Sequence, residues 1–385
     1  MAAVDTRLRP TVVNMGVPVP IPPDLWFRCA VFVAHPFLPI VAYASKQFDQ
    51  CAIYLIDLDT QVCLSRLASD NTDWVRCASF DPTGRYLAVG HLDFSISLWD
   101  ADSATRISVV QESIDAVESI VWNRCGTQFL SSARDGILRL WDWMTDGSCT
   151  QRHAEDVSEI SSIYSDAPSG PGRVQMRLNG FVHRMIGGPQ LEITDADADT
   201  DTDADVVVRD EVFAVALTNG RLIRGSWASG AVAVFWHQPA TMEGTMELAS
   251  SPEWLATLTS GDFVVRVWSW TTPMCVRTLG TVQYTPGMLL FDPHASHLVA
   301  LVVQSDTVWR GSQLETWDAT PTSSPADWKR DRTVPCTSLK TVERLATLGD
   351  GRMAGIHRSD PRSFLVSVWR AVRFTDPKLG SATFF

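Results

Sequence analysis

The sequence is short of tyrosine, with 5 residues in 385, and it holds no basic tail or stripe. Without such a stripe, autonomous nucleic-acid binding is not expected. No apolar run reaches the length of a membrane span, so no membrane-crossing segment is expected. The first ten residues, MAAVDTRLRP, lack the apolar stretch of about 7–15 residues that a secretory signal needs. No Cys pair stands at C-x-x-C spacing among Cys29, Cys51, Cys63, Cys77, Cys125, Cys149, Cys275 and Cys336. Most of these lie in or beside apolar runs and read as buried, reduced thiols of an intracellular protein. The eight His are dispersed, and only His294 and His297 are close, so no metal site is expected. Elbows of the form G-x-S-x-G and phosphate loops of the forms G-x-G-x-x-G and G-x-x-x-x-G-K-[ST] are missing too. Neither an enzyme nor a cofactor is expected. No window of about 11–18 residues sustains a helical period with caps, so long helices are not expected either.

Tryptophan, by contrast, is abundant, with 15 residues. The formal net charge is −12, and six of the negative charges fall in the run DADADTDTDAD, Asp195 to Asp205. A calcium loop of the EF-hand kind needs Gly at the sixth position and Glu at the twelfth. Counted from Asp199 those positions hold Ala204 and Asp210, so that reading fails. Six like charges on one strand face would repel strongly, so the run reads as a solvated loop. Its functional reading is an electrostatic contact with a basic partner, with Asp199, Asp201 and Asp203 as candidates.

The tryptophans mark a repeat. SFDPTGRYLAVGHLDFSISLWD (79–100) aligns with VWNRCGTQFLSSARDGILRLWD (121–142), and the Trp-Asp pairs Trp99-Asp100 and Trp141-Asp142 recur at a spacing of 42. A period of about 40–45 residues ending in Trp-Asp is the mark of a propeller blade. Asp81 to Gly84 and Asn123 to Gly126 have turn chemistry. Tyr86–Val89 and Gln128–Ser131 read as inner strands, and Asp93 and Asp135 as holders of the next turn. Weaker units end at Ile56-Asp57, Trp236, Trp268, Trp317-Asp318 and Trp369, with Asp262 in a turn position. Residues 157–194 supply one further unit without a Trp-Asp ending. The count is seven to eight, and an all-β WD40 β-propeller of seven blades is expected, with eight as the alternative. The expected organisation is an extended arm over 1–23, a propeller over 24–373, and a tail over 374–385. The acidic run 195–205 and the stretch TPTSSPADWKRDRTVP, 320–335, are expected as insertions.

In such a ring Trp99, Trp141, Trp268 and Trp317 pack between blades, and Asp93, Asp135 and Asp262 hold turns. Partner contacts belong to the rims of the channel. Arg221, Arg224 and Trp227 (GRLIRGSW) are candidates for such a surface.

The stretch from Phe80 to about Ile186 resembles the propeller subunit of COMPASS-type histone H3 methyltransferase complexes, the retinoblastoma-binding-protein-5 class. The residues that carry the resemblance are Leu87-Ala88-Val89-Gly90, Asp93 and Trp99-Asp100, then the exit from Trp141-Asp142 through Gly147, Cys149, Gln151 and Arg152. A unit without Trp-Asp and an acidic stretch follow in the same order. The resemblance implies a nuclear, non-catalytic scaffold whose partners are a SET-domain methyltransferase and its adaptors. The family's C-terminal acidic docking segment has no counterpart here. The alternative is a scaffold or substrate receptor in ubiquitin ligation, trafficking or RNA processing, nuclear or cytoplasmic. The W-D-x-R pattern of many cullin-ligase receptors is absent, since the pairs continue as WDAD, WDWM and WDAT.

Overall fold

A computed structural model describes residues 11–14, 29–372 and 383–384. Left aside are 46–51, 69–73, 145–148, 157–181, 195–206, 229–231, 237–245, 282–284, 292–296, 306–309, 320–327, 336–341, 361–362 and a few single positions. Every regular element among the described residues is a strand, and the strands form seven antiparallel sheets. Sheet two shows the pattern: Val75–Phe80, Tyr86–His91, Ile96–Asp100 and Thr105–Val110 pair in chain order. Sheet three repeats it with Val117–Trp122, Gln128–Ala133, Ile137–Trp143 and Cys149–Asp156. The first strands of consecutive sheets touch one another, and the first strand of sheet seven, Val342–Thr347, touches that of sheet one, Cys29–Ala34. The sheets therefore close a ring with their first strands innermost. Tyr86–Val89, read from the sequence as inner, is one strand further out.

The core sits in the seams between sheets. Successive side chains of a strand point to opposite faces. Leu87, Val89 and Trp99 accordingly pack toward sheet one, while Tyr86, Ala88, Ile96 and Leu98 pack toward sheet three. Burial on both faces explains why these strands read as nearly continuous apolar runs rather than as clean alternation. Trp141, Trp268 and Trp317 fill the seams of sheets two with three, four with five, and five with six.

The turns follow their chemistry. Asp81 Oδ2 accepts from Thr83 Oγ1 (2.6 Å) and Asp81 Oδ1 from the Tyr86 amide (2.8 Å), with Gly84 at φ 78°. Asn123 Oδ1 accepts from the Thr127 and Gln128 amides, both at 3.0 Å.

Several sequence expectations move. Of the expected unit over 157–194, residues 157–181 lie outside the described residues and the rest is not a separate unit. Val182–Thr194 is the first strand of sheet four, paired with Val207–Leu217 and completed by Leu222–Ser226 and Val232–Trp236. The missing Trp-Asp ending is explained, because a first strand never carries one. The stretch 320–335 is not wholly an insertion: Arg330–Pro335 is the outermost strand of sheet six, and Trp328 is buried against Trp254 and Phe291. Thr11–Asn14, within the expected arm, pairs with Leu365–Val368 as the outer strand of sheet seven, and Thr383–Phe384 of the expected tail pairs with Ala371 and Val372. Cys63, Cys125 and Cys275 are free thiols as expected, but they are exposed rather than buried. They lie on outer strands and a tip turn, which the periodicity of the chain does not distinguish from core.

The Trp indoles differ in one respect that the register explains. Trp141 pairs with Phe129, and its Nε1–H donates to Ser131, two residues on (2.8 Å). Trp268 pairs with Leu255 and donates to Thr257 (3.0 Å). Trp99 pairs with Leu87, where the corresponding residue is Val89, and it donates to Ser97 instead (2.9 Å). Trp317 pairs with Leu298, the corresponding residue is Ala300, and its buried Nε1–H finds no acceptor among the described residues. An unsatisfied buried donor costs about 1–3 kcal/mol. Ala300→Ser is expected to raise the unfolding free energy by about 1 kcal/mol in a denaturant titration. A fall would show that the seam has no room for the hydroxyl.

Candidate functional site

One mouth of the channel carries several ionisable side chains, and a repeated backbone irregularity places Arg76, Glu118 and His183 there. The innermost strands of sheets one, two, three, four and seven shift register at their second residue, at Ala30, Arg76, Glu118, His183 and Glu343, and that of sheet six at its third, Gly287. Bulges of this kind re-aim side chains. In sheet five the matching position, Glu247, lies in an unbroken ladder.

The described side chains join into two clusters. Glu118 takes an ion pair from Arg76 and another from Arg134 (2.6 Å), which stands in the turn after the second strand of sheet three. Glu247 takes Arg184 (3.0 Å) and His183 (3.4 Å) from sheet four. Burial pushes the Glu247 carboxyl up, but the charge of Arg184, then the hydrogen bond and charge of His183 and the charge of Arg344, outweigh it and hold it at about 2. Its folded pKa lies below its ordinary value of 4.5. The stabilisation is therefore fully present above about pH 4.5 and is lost as pH falls toward 2. Glu247→Gln is expected to remove about 2 kcal/mol at neutral pH and to flatten the acid limb of the stability profile over that window. An unchanged acid limb would refute the assignment.

Beside this lip, three turns of like construction face the same end. Asp93, Asp135 and Asp262 accept the amides of Ser95 (3.0 Å), Ile137 (3.0 Å) and Val264 (3.1 Å). Asp135 also pairs with Arg139 (2.8 Å), and Asp262 with Arg266. Burial raises the Asp262 carboxyl, and the Arg266 and backbone hydrogen bonds bring it below its usual range.

Of the other sequence-derived candidates, Arg221 stands in the matching turn of sheet four, where its amide donates to Asn219 Oδ1 (3.1 Å), and the rest lie elsewhere. Asp100 accepts the Ser103 amide (2.9 Å) and Arg85 Nε (3.0 Å) at the opposite end of the ring, and Asp142 accepts Gln128 Nε2 (2.8 Å). Asp318 pairs with His297 in the ladder of sheet six. Arg221, Arg224 and Trp227 do not form a rim surface. Arg221 and Trp227 are buried, Arg224 Nη1 donates to the Trp270 carbonyl in the next sheet (2.5 Å), and Trp227 stands edge-on to Phe213. Arg221 and Trp227 bracket the third strand of sheet four and Arg224 lies within it, and the strand is covered on both faces. Asp199, Asp201 and Asp203 lie outside the described residues. The lip residues themselves escaped sequence reading, since the bulge that aims them leaves no mark beyond a charge in second place on an apolar strand.

A closed ring of antiparallel sheets, six of four strands and one of five, with a polar channel mouth defines the class of β-propellers, built for binding through loops and rims. Residues 61–100 and 106–142 match the family described as WD domain, G-beta repeat, and the chain carries WD40 repeats. The fold is similar to a chain in the crystal structure of the mitotic checkpoint complex, at a TM-score of 0.63 and 16% identity, covering 97% of this chain and 96% of that one. Among curated proteins it is similar to telomerase protein component 1 of Rattus norvegicus, 24% identical over 222 residues, 57% of this chain and 8% of that protein. It is also similar to COMPASS component SWD1 of Saccharomyces cerevisiae, 34% identical over 70 residues, 17% of this chain and 16% of that protein. The matched part is thus a small fraction of either relative.

Proposed function

We propose that this chain is a non-catalytic scaffold subunit of a COMPASS-like, histone H3 lysine methyltransferase complex. The observation that carries the proposal is the local similarity to a COMPASS component, 34% over 70 residues, against 24% over the longer match to the telomerase component. The succession of a Trp-Asp blade, a strand without that ending and an acidic run is in keeping with it. The scaffold holds a SET-domain methyltransferase and its adaptors, acts in the nucleus, and uses no cofactor of its own. The run 195–205, which links the paired strands ending at Thr194 and beginning at Val207, contacts a basic segment of a partner through Asp199, Asp201 and Asp203.

Purification of the tagged chain from nuclear extract, followed by mass spectrometry, tests the reading. Recovery of a SET-domain protein with its adaptors is the expected result. Recovery of a different stable assembly, without any methyltransferase subunit, would replace it with the second reading, a WD40 scaffold or receptor in ubiquitin ligation, trafficking or RNA processing. The absence of Arg after Trp-Asp weighs against the receptor form.

A further inference from the structure

We propose that the first turn of sheet one, residues 36–39, is a pH-operated latch on the ring, held shut by the neutral imidazole of His35 and released when that imidazole takes a second proton. The inference stands whichever assembly the chain joins.

The first observation is a change of chemistry at one repeated place. In five sheets the residue after the innermost strand donates its amide to the carbonyl of the first residue of the next strand. The pairs are His35 with Ile40, Asp81 with Tyr86, Asn123 with Gln128, Ser251 with Trp254 and Leu348 with Arg352. In sheets four and six the place lies outside the described residues. Side-chain oxygens of Asp81, Asn123 and Ser251 accept an amide in return, and in sheet seven Asp350 accepts the Arg352 amide. Carboxylate, amide and hydroxyl oxygens accept at any pH near neutral. Sheet one uses a ring nitrogen instead: His35 Nδ1 accepts the amides of Phe37 (3.1 Å) and Leu38 (3.0 Å). An imidazole nitrogen accepts only while it carries no proton, so the neutral ring holds its proton on Nε2.

The second observation is what hangs on that nitrogen. Pro36 and Pro39 have no amide, so Phe37 and Leu38 supply both N–H groups of the turn, and both go to Nδ1. Their side chains are 64% and 47% exposed, so burial of the tip does little to hold the turn. The imidazole beneath them is buried, edge-on to Phe80 of sheet two at 5.3 Å. Its Nε2 lies against Gly84 of sheet two, where a Cβ would stand 2.0 Å away. On the other side the Pro36 carbonyl meets Gly349 of sheet seven. One turn thus wedges between sheets seven and two. A proton on Nδ1 sets three N–H groups against one another and cancels both bonds.

The surrounding charges fix the direction. Burial disfavours the charged ring, while Asp102, then Asp81 and the hydrogen bond to the Gly84 backbone, favour it. Burial prevails and holds the imidazole below its ordinary value of 6.5. The other charges beside the turn are engaged: Arg85 with Asp100, Arg352 with Asp350 and Asp59, and Asp57 with the Asp59 amide. With the folded value below the unfolded one, the stabilisation is complete above about pH 6.5 and is lost as pH falls below it.

Hydrogen exchange of the full chain at about pH 7.5 and about pH 5.5, corrected for the intrinsic pH dependence of exchange, tests the latch. The lower pH lies above the window in which Glu247 titrates. Peptides holding Phe37 and Leu38 are expected to lose protection by about tenfold there, with sheets three and five unchanged. His35→Asn puts the acceptor of sheet three in this place and is expected to keep its protection at both pH values. An NMR titration of the parent needs no variant: the His35 ring is expected to carry its proton on Nε2 at neutral pH and to titrate below about 6.5. Unchanged protection in the parent, equal loss in His35→Asn, loss spread evenly over all seven sheets, or a proton on Nδ1 at neutral pH would overturn the proposal.

Discussion

Trp141→Ala is expected to lower the unfolding free energy by about 4 kcal/mol, the cost of emptying a fully enclosed indole site. The ring is 1% exposed and stacks on Phe129 at a centroid distance of 5.9 Å within the seam of sheets two and three. Its removal also leaves the Ser131 hydroxyl without the indole N–H. A denaturant titration of the variant measures the loss. The finer comparison is with Phe. Trp141→Phe deletes a made hydrogen bond, whereas Trp317→Phe deletes a donor that has no acceptor among the described residues. Trp317→Phe is therefore the milder change, by about 1–2 kcal/mol. Equal losses at the two sites would mean that indole volume alone matters and that the register argument fails.

Gly349→Ala is expected to cost about 3 kcal/mol and to loosen the ring at one place. A Cβ at Gly349 would stand 1.9 Å from the Pro36 carbonyl oxygen and 2.6 Å from Phe37 Cα. Both are backbone atoms of the first turn of sheet one, which no rotamer change can move aside. Overpacking against a fixed wall usually costs about 1–3 kcal/mol, and a backbone wall belongs at the upper end. The site joins sheet seven to sheet one, where Phe32, Tyr43 and Ile56 meet Leu348 and Ile356, and where Arg352 pairs with Asp59 (2.5 Å). Asp59 is 54% exposed, so that ion pair adds little and the apolar seam carries the closure. Hydrogen exchange checks the claim. Amides of sheets one and seven are expected to lose protection before those of sheets two and three, and uniform loss would count against a local seam.

Much of the ring was legible in the chain because each blade repeats a chemical requirement. Asp93 and Asp135 are visible beforehand since only a short acceptor before a tight turn satisfies the amide two residues on. Trp99 and Trp141 are visible since the seam takes a large ring at a fixed step. What stayed hidden belongs to strands whose partners are remote. Val182–Thr194 looks like the end of a failed repeat until its pairing with Val207–Leu217 is known. Thr11–Asn14 looks like an arm because its ladder partner lies at the other end of the sequence. Arg221, Arg224 and Trp227 look like surface because charge near Gly reads as loop, while the strand that holds Arg224 and lies between the other two is covered on both faces. The lip depends on a one-residue bulge, which composition and period do not record.

The strand Thr11–Asn14 has a consequence in time. Its partners, Leu365 to Val368, follow it by about 350 residues of chain. At about 5–20 residues per second of synthesis, the early strand waits on the order of 20–70 s before it can pair. Until then the outer edge of sheet seven does not exist, and Thr11–Asn14 has no ladder to join. The ring is therefore sealed by a late event that joins an earlier-made segment to one made much later.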